Sequence, residues 1–221
     1  MNMPQKIGRR GILVLSGLSL LPLLCLLAWP FIKVLSSPAA DEREFRYGLM
    51  MREVGSVERG ESHGLTFYDV WDHGDRVLLN LEPLEGLESI RSRHTMFTAE
   101  GIAALRIQPN LKNVRFEQID DAAIEAIAQL PQIEIVSILR SPISDKSVSR
   151  IAQLPNLQYL RLQFDDDNAQ QALITDKALE SLATCKSLQE LRINGHWFSR
   201  EAVERLQQAL PDCEIDTGQF D

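Results

Sequence analysis

The amino-acid sequence predicts an α/β solenoid, with a curved parallel sheet inside, helices outside and an amino-terminal transmembrane helix. Three observations predict it. Ile174-Thr175-Asp176-Lys177-Ala178-Leu179, then Leu182, then Leu188-Gln189-Glu190-Leu191-Arg192-Ile193 restates Ile143-Ser144-Asp145-Lys146-Ser147-Val148, then Ile151 and Leu154, then Leu157-Gln158-Tyr159-Leu160-Arg161-Leu162. Repeats of this length stack into units that bury a shared core. The unit starts Phe97, Ile119, Ile143, Ile174 and Phe198 are spaced 22, 24, 31 and 24 residues apart. Within each unit the apolar spacing changes from helical to alternating.

Residues 1–10 carry Lys6, Arg9 and Arg10, and Gly11 to Ile32 is an uncharged, mostly apolar run. About 20 apolar residues cross a bilayer as a helix. The flanking charges place the amino terminus in the cytoplasm and the rest outside it, periplasmic or extracellular. The run exceeds the roughly 7–15 residue apolar core of a signal peptide, so an anchor is favoured, although Ser37-Pro38-Ala39 offers a cleavage site. Residues 33–75 read as a tether followed by an amino-terminal cap. Asp41 to Arg46 is expected to be solvated, and Leu65 to Trp71 is strand-like, in a short hairpin.

Residues 76–221 form the repeat domain. The first half of each unit is a helix. Thr98, Asp120, Ser144, Thr175 and Ser199 form one column of helix-capping residues, followed by Glu100, Asp121, Asp145, Asp176 and Glu201 in the first turn. The former accept hydrogen bonds from the first free amides, and the latter suit the positive end of the helix dipole. The second half is a strand, Leu111-x-x-Val114-x-Phe116 and its counterparts at Ile133, Leu157 and Leu188, with a degenerate earlier copy at Leu87-x-x-Ile90.

These columns resemble the leucine-rich repeat family, in particular its ribonuclease-inhibitor-like and cysteine-containing types. The Ile-Thr-Asp-x-x-Leu opening and the ending Leu210-Pro211-Asp212-Cys213-Glu214-Ile215 resemble such proteins from planctomycete-like bacteria. The resemblance implies about five helix-bearing repeats over roughly 80–221 and a role in holding a partner. Where the family places Asn or Cys after the strand, this chain has Ser141, Asp165 and His196, which predicts looser turns.

The first forty residues contain Lys6, Arg9, Arg10 and Lys33 and no acid. The remainder has 19 basic and 31 acidic residues, a formal charge of −12. That balance argues against a nucleic-acid partner, which needs clustered basic residues. Cys185 and Cys213 fall where repeats normally carry Leu, as packed thiols or, outside the cytosol, a disulfide. Asp69, Asp72, His73 and Asp75 crowd one turn, and Asp165-Asp166-Asp167 lies in the seven-residue insert that lengthens one unit. Both read as solvated polar loops, and no metal or cofactor is expected.

Alternation leaves some strand residues out of the core and on the concave face. Their middle column reads Arg91, Arg115, Ser137, Arg161 and Arg192. The left column reads Ser89, Asn113, Ile135, Tyr159 and Glu190, and the right one Arg93, Glu117, Leu139, Gln163 and Asn194. The candidate partner-binding set is Arg91, Arg115, Ile135, Leu139, Tyr159, Arg161, Glu190 and Arg192. Ile135, Leu139 and Tyr159 form its expected apolar centre, and the arginines fork onto partner carboxylates. Self-pairing of the arginines with Glu117 and Glu190 is the competing expectation.

His63, His73, His94 and His196 fall in no nucleophile, metal or phosphate motif, and His196 is expected to pack beside Trp197. The sequence thus points to a membrane-anchored, non-catalytic protein-interaction module. A cell-wall or carbohydrate-binding scaffold is the alternative. An F-box-like ubiquitin-ligase substrate receptor would require a cytosolic location.

Overall fold

The computed structural model describes residues 38–68, 74–164 and 174–218. The chain divides into two compact units, 1–42 and 43–221. The apolar segment 11–32, Asp69, Asp72, His73 and the insert 165–171 lie outside the described residues. Among the described residues no helix is long and apolar enough to cross a membrane.

Unit 43–221 contains a sheet of seven parallel strands in chain order. These are β1 (Gly64–Tyr68), β2 (Ser89–Arg93), β3 (Asn113–Glu117), β4 (Ile135–Leu139), β5 (Tyr159–Gln163), β6 (Glu190–Ile193) and β7 (Glu214–Asp216). Helix α1 (Pro38–Glu58) precedes β1. The crossovers carry α2 (Gly74–Leu79), α3 (Ala99–Ala104), α4 (Asp121–Ile127), α5 (Asp145–Ile151), α6 (Asp176–Leu182) and α7 (Arg200–Ala209).

One core row runs in register through Leu65, Ile90, Val114, Val136, Leu160, Leu191 and Ile215. All but Ile215 are fully buried. Opposite it lie the inward residues of the helices, including Ile102, Ile124, Val148, Leu179 and Leu206, all buried. Phe97 spans neighbouring units, with edge-on ring contacts to Phe67 at 5.0 Å and Phe116 at 5.4 Å.

The units are also joined by polar bonds that recur at repeat spacing. One carbonyl before each of β1 to β5 accepts two amides of the next unit, as Glu88 does from Lys112 and Asn113 and Lys112 from Glu134 and Ile135. A second ladder joins the helix starts. The Asp75 carboxylate accepts from Thr98 N at 3.1 Å. Asp121 accepts from Ser144 N and Oγ, both at 2.8 Å, and from the Ser147 hydroxyl. Asp145 accepts from Thr175 N and Oγ1, and Asp176 from Ser199 N and Oγ. The first-turn acids therefore act laterally, between units, as well as on their own helix dipoles. Where the following cap is Asp120, which has no hydroxyl to donate, Glu100 makes no such bond among the described residues.

Several sequence expectations are corrected. β1 does not belong to a hairpin; it pairs parallel with β2 as the first strand of the same sheet. With α2, it makes a further unit that the strict leucine spacing misses, and β7 adds a short strand at the other end. The stretch Asp41 to Arg46 is helical, within α1, with Phe45 exposed; the later turns of α1 bring buried Met50, Val54 and Val57 at helical spacing. Ser141 does not loosen its turn. It is buried, its hydroxyl donates to Leu139 O at 2.9 Å and accepts from Ile119 N at 3.1 Å. A short hydroxyl thus links adjacent units at this turn. Of the two readings of Cys185 and Cys213, packed thiols is the one that holds: both are buried and free.

Candidate functional site: the concave face of the sheet

The register places the expected columns side by side. Arg91, Arg115, Ser137, Arg161 and Arg192 align across five strands, extended by Thr66 on β1 and Asp216 on β7. Ser89, Asn113, Ile135, Tyr159 and Glu190 align beside them. The strands hold these side chains outward because the alternate positions are committed to the core.

The apolar centre expected at Ile135, Leu139 and Tyr159 is corrected in one member. Leu139 is only 5% exposed. It lies in register between Glu117 and Gln163, and Arg140, next in the chain, reaches across to Glu117. Ile135 and Tyr159 remain half-buried. Ser137 is buried too, so the middle of the face is shallow in polar as well as apolar surface.

The arginines divide into two groups. Toward β6, Arg192 Nε donates to Glu190 Oε1 at 2.7 Å, and the guanidinium lies 5.9 Å from the Tyr159 ring centre. The hydrogen bond to Glu190 raises the Arg192 pKa above its ordinary value. Arg161 Nη2 donates to Gln163 Oε1 at 2.5 Å. This end is largely self-paired. Toward β1, the guanidinium groups of Arg91, Arg93 and Arg115 form no hydrogen bond or ion pair among the described residues. They border a concavity of about 430 Å³ that also includes Tyr68 and the Arg140–Glu117 ion pair. Glu117 is buried, and its carboxylate also receives His94 N at 3.4 Å.

Three turns shape this end. His94, Gln118 and Arg140, each directly after β2, β3 or β4, have φ of 53°, 56° and 49°. This left-handed conformation is uncommon outside glycine. It breaks strand alternation, which is why the inward reach of Arg140 is invisible to a period-two reading. Tyr68 was hidden for a different reason: its strand lacks the full leucine spacing. The one available signal was Asp75, which stands 23 residues before Thr98, as Asp121 does before Ser144.

The remaining candidates separate. Asp75 is engaged with Thr98, and among the described residues no cluster of His, Cys, Asp and Glu could hold a metal ion. His196 stacks obliquely near Trp197, with ring centres 5.7 Å apart.

No family model and no curated protein matches this chain. Among solved structures it is similar to a leucine-rich repeat protein of Leptospira interrogans, at 20% identity and a TM-score of 0.40, covering 60% of this chain and 38% of that one. It is also similar to a protein of Bacteroides fragilis, at 15% identity and a TM-score of 0.37, covering 74% of this chain and 67% of that one. The chain thus spans under two fifths of the Leptospira protein's length. Seven parallel strands with a helix in each crossover make the fold leucine-rich-repeat-like.

Proposed function

We propose that this chain is a membrane-anchored, non-catalytic leucine-rich repeat protein that holds a protein partner on the concave face of its sheet, outside the cytoplasm. The observation that carries the reading is the aligned arginine column on an otherwise acidic domain. Arginine and tyrosine are the residues on which binding energy concentrates at protein interfaces, and guanidinium forks onto carboxylates with defined geometry. The ribonuclease-inhibitor-like, cysteine-containing type is supported by a helix in every crossover and by Cys185 and Cys213 in core positions. Similarity to planctomycete-like bacterial repeat proteins is proposed from the same endings. The uncharged run from Gly11 to Ile32, preceded by Lys6, Arg9 and Arg10, supports the anchor and its orientation.

Photo-cross-linking from position 159 in the native membrane tests this. The expected result is one dominant protein adduct, absent when Tyr159→Ala and Arg161→Ala are combined with the domain still folded. Capture unchanged in that variant, or capture only of glycan, overturns it.

A further inference from the structure

We infer that the concavity bordered by Arg91, Arg93 and Arg115 is an oxyanion site that takes clustered carboxylates of an acidic peptide segment. The inference deepens the protein-binding reading of the same face and rests on it for the choice of a peptide over a free anion. Three independent observations converge there.

The first is uncompensated charge. The guanidinium groups of Arg91, Arg93 and Arg115 have no acidic or hydrogen-bonding partner among the described residues. Among the described residues the only acid bordering the concavity is Glu117, and that carboxylate is already held by Arg140. The second is opposition of like charges. Arg91 and Arg115 are in direct register on adjacent strands, an arrangement that destabilises a sheet. The same column toward β6 relieves its arginines through Gln163 and Glu190; this end leaves them bare. The third is shape. The arginines surround about 430 Å³ of open, mainly polar space, and Tyr68, 54% exposed, stands beside them. An extended acidic segment laid along the strands would place carboxylates against the guanidiniums and backbone against the tyrosine ring. The Glu117–Arg140 pair closes the floor, so a bound anion meets preset donors.

A free dianion shares this chemistry, and the experiment separates the two sources. Binding of fluorescein-labelled hexaglutamate to the purified full chain is followed by anisotropy at several salt concentrations. Saturable binding that weakens with salt is expected, with no binding of hexaglutamine. Arg91→Gln combined with Arg115→Gln should weaken it by about tenfold or more. Arg106→Gln combined with Arg205→Gln, an equal charge loss on exposed helical positions, should leave it unchanged. Circular dichroism melting confirms that each variant is folded. Equal binding by the Arg91/Arg115 variant, or equal weakening by the Arg106/Arg205 variant, overturns the site. Displacement by citrate or inorganic phosphate at the concentrations at which unlabelled hexaglutamate displaces overturns the peptide as occupant. The assay uses no native partner, so a failed cross-link from position 159 alongside intact hexaglutamate binding would sink the functional reading and leave this site standing.

Discussion

Asp121 shows how much one side chain does in a stacked fold. Burial opposes its ionisation, but hydrogen bonds from Ser147 and from the Ser144 hydroxyl and amide outweigh that and hold its pKa below the ordinary carboxylate value. Asp176 is lowered in the same direction, first by the Ser199 hydroxyl and amide. A carboxylate depressed in the folded state contributes stability that is complete above its unfolded pKa of about 4. That contribution is lost as pH falls through the lower folded value. Asp121→Asn should therefore lower the melting temperature at pH 7, and the deficit should shrink as wild type and variant are compared toward pH 3. A deficit that stays constant across that range would refute the assignment. Neighbouring Ser141 belongs to the same scale, since its hydroxyl is the partner of the buried Ile119 amide.

Among the elements, α1 has the least expected role. It supplies Met50, Val54 and Val57 to the core, and its Glu53 carboxylate accepts from Thr66 N on β1 at 2.9 Å. β1 is the edge of the sheet, and an uncovered edge invites pairing with another chain. The opposite edge is protected differently: β7 has three residues and carries Glu214 and Asp216. Glu53→Ala should leave the fold intact while exposing the β1 edge, so sedimentation velocity should show concentration-dependent association absent from the wild type. A variant that remains monomeric at every concentration would show that Glu53 is not what guards this edge.

Across the whole molecule, each unit contacts mainly its neighbours, so stability is close to a sum of units and interfaces. Leu160 sits fully buried on the central core row. Leu160→Ala should cost about 2–5 kcal/mol by the cavity it leaves. Because the defect interrupts both adjacent interfaces, urea unfolding should broaden or split rather than shift as one transition. A parallel shift with unchanged slope would indicate that the solenoid unfolds as a single cooperative block.

The repeat spacing, the capping column and the alternation of Leu160 with Arg161 were all legible in the amino-acid sequence, because helix and strand each impose a fixed period on what is buried. Those periods alone align Arg91, Arg115, Arg161 and Arg192 in one column. What they did not determine is which arginines are free. That depends on Gln163 and Glu190 at one end, and on Arg140 at the other, turned by a left-handed residue out of the strand's period. Leu139 marks the same limit: its strand position predicts an outward side chain, yet between Glu117 and Gln163 it is buried. The first unit, from Leu65 to Leu84, was hidden because tertiary packing against α1 and β2 compensates for its irregular spacing. Local pattern specified the solenoid; only the stacking of units decided where its charge lies open.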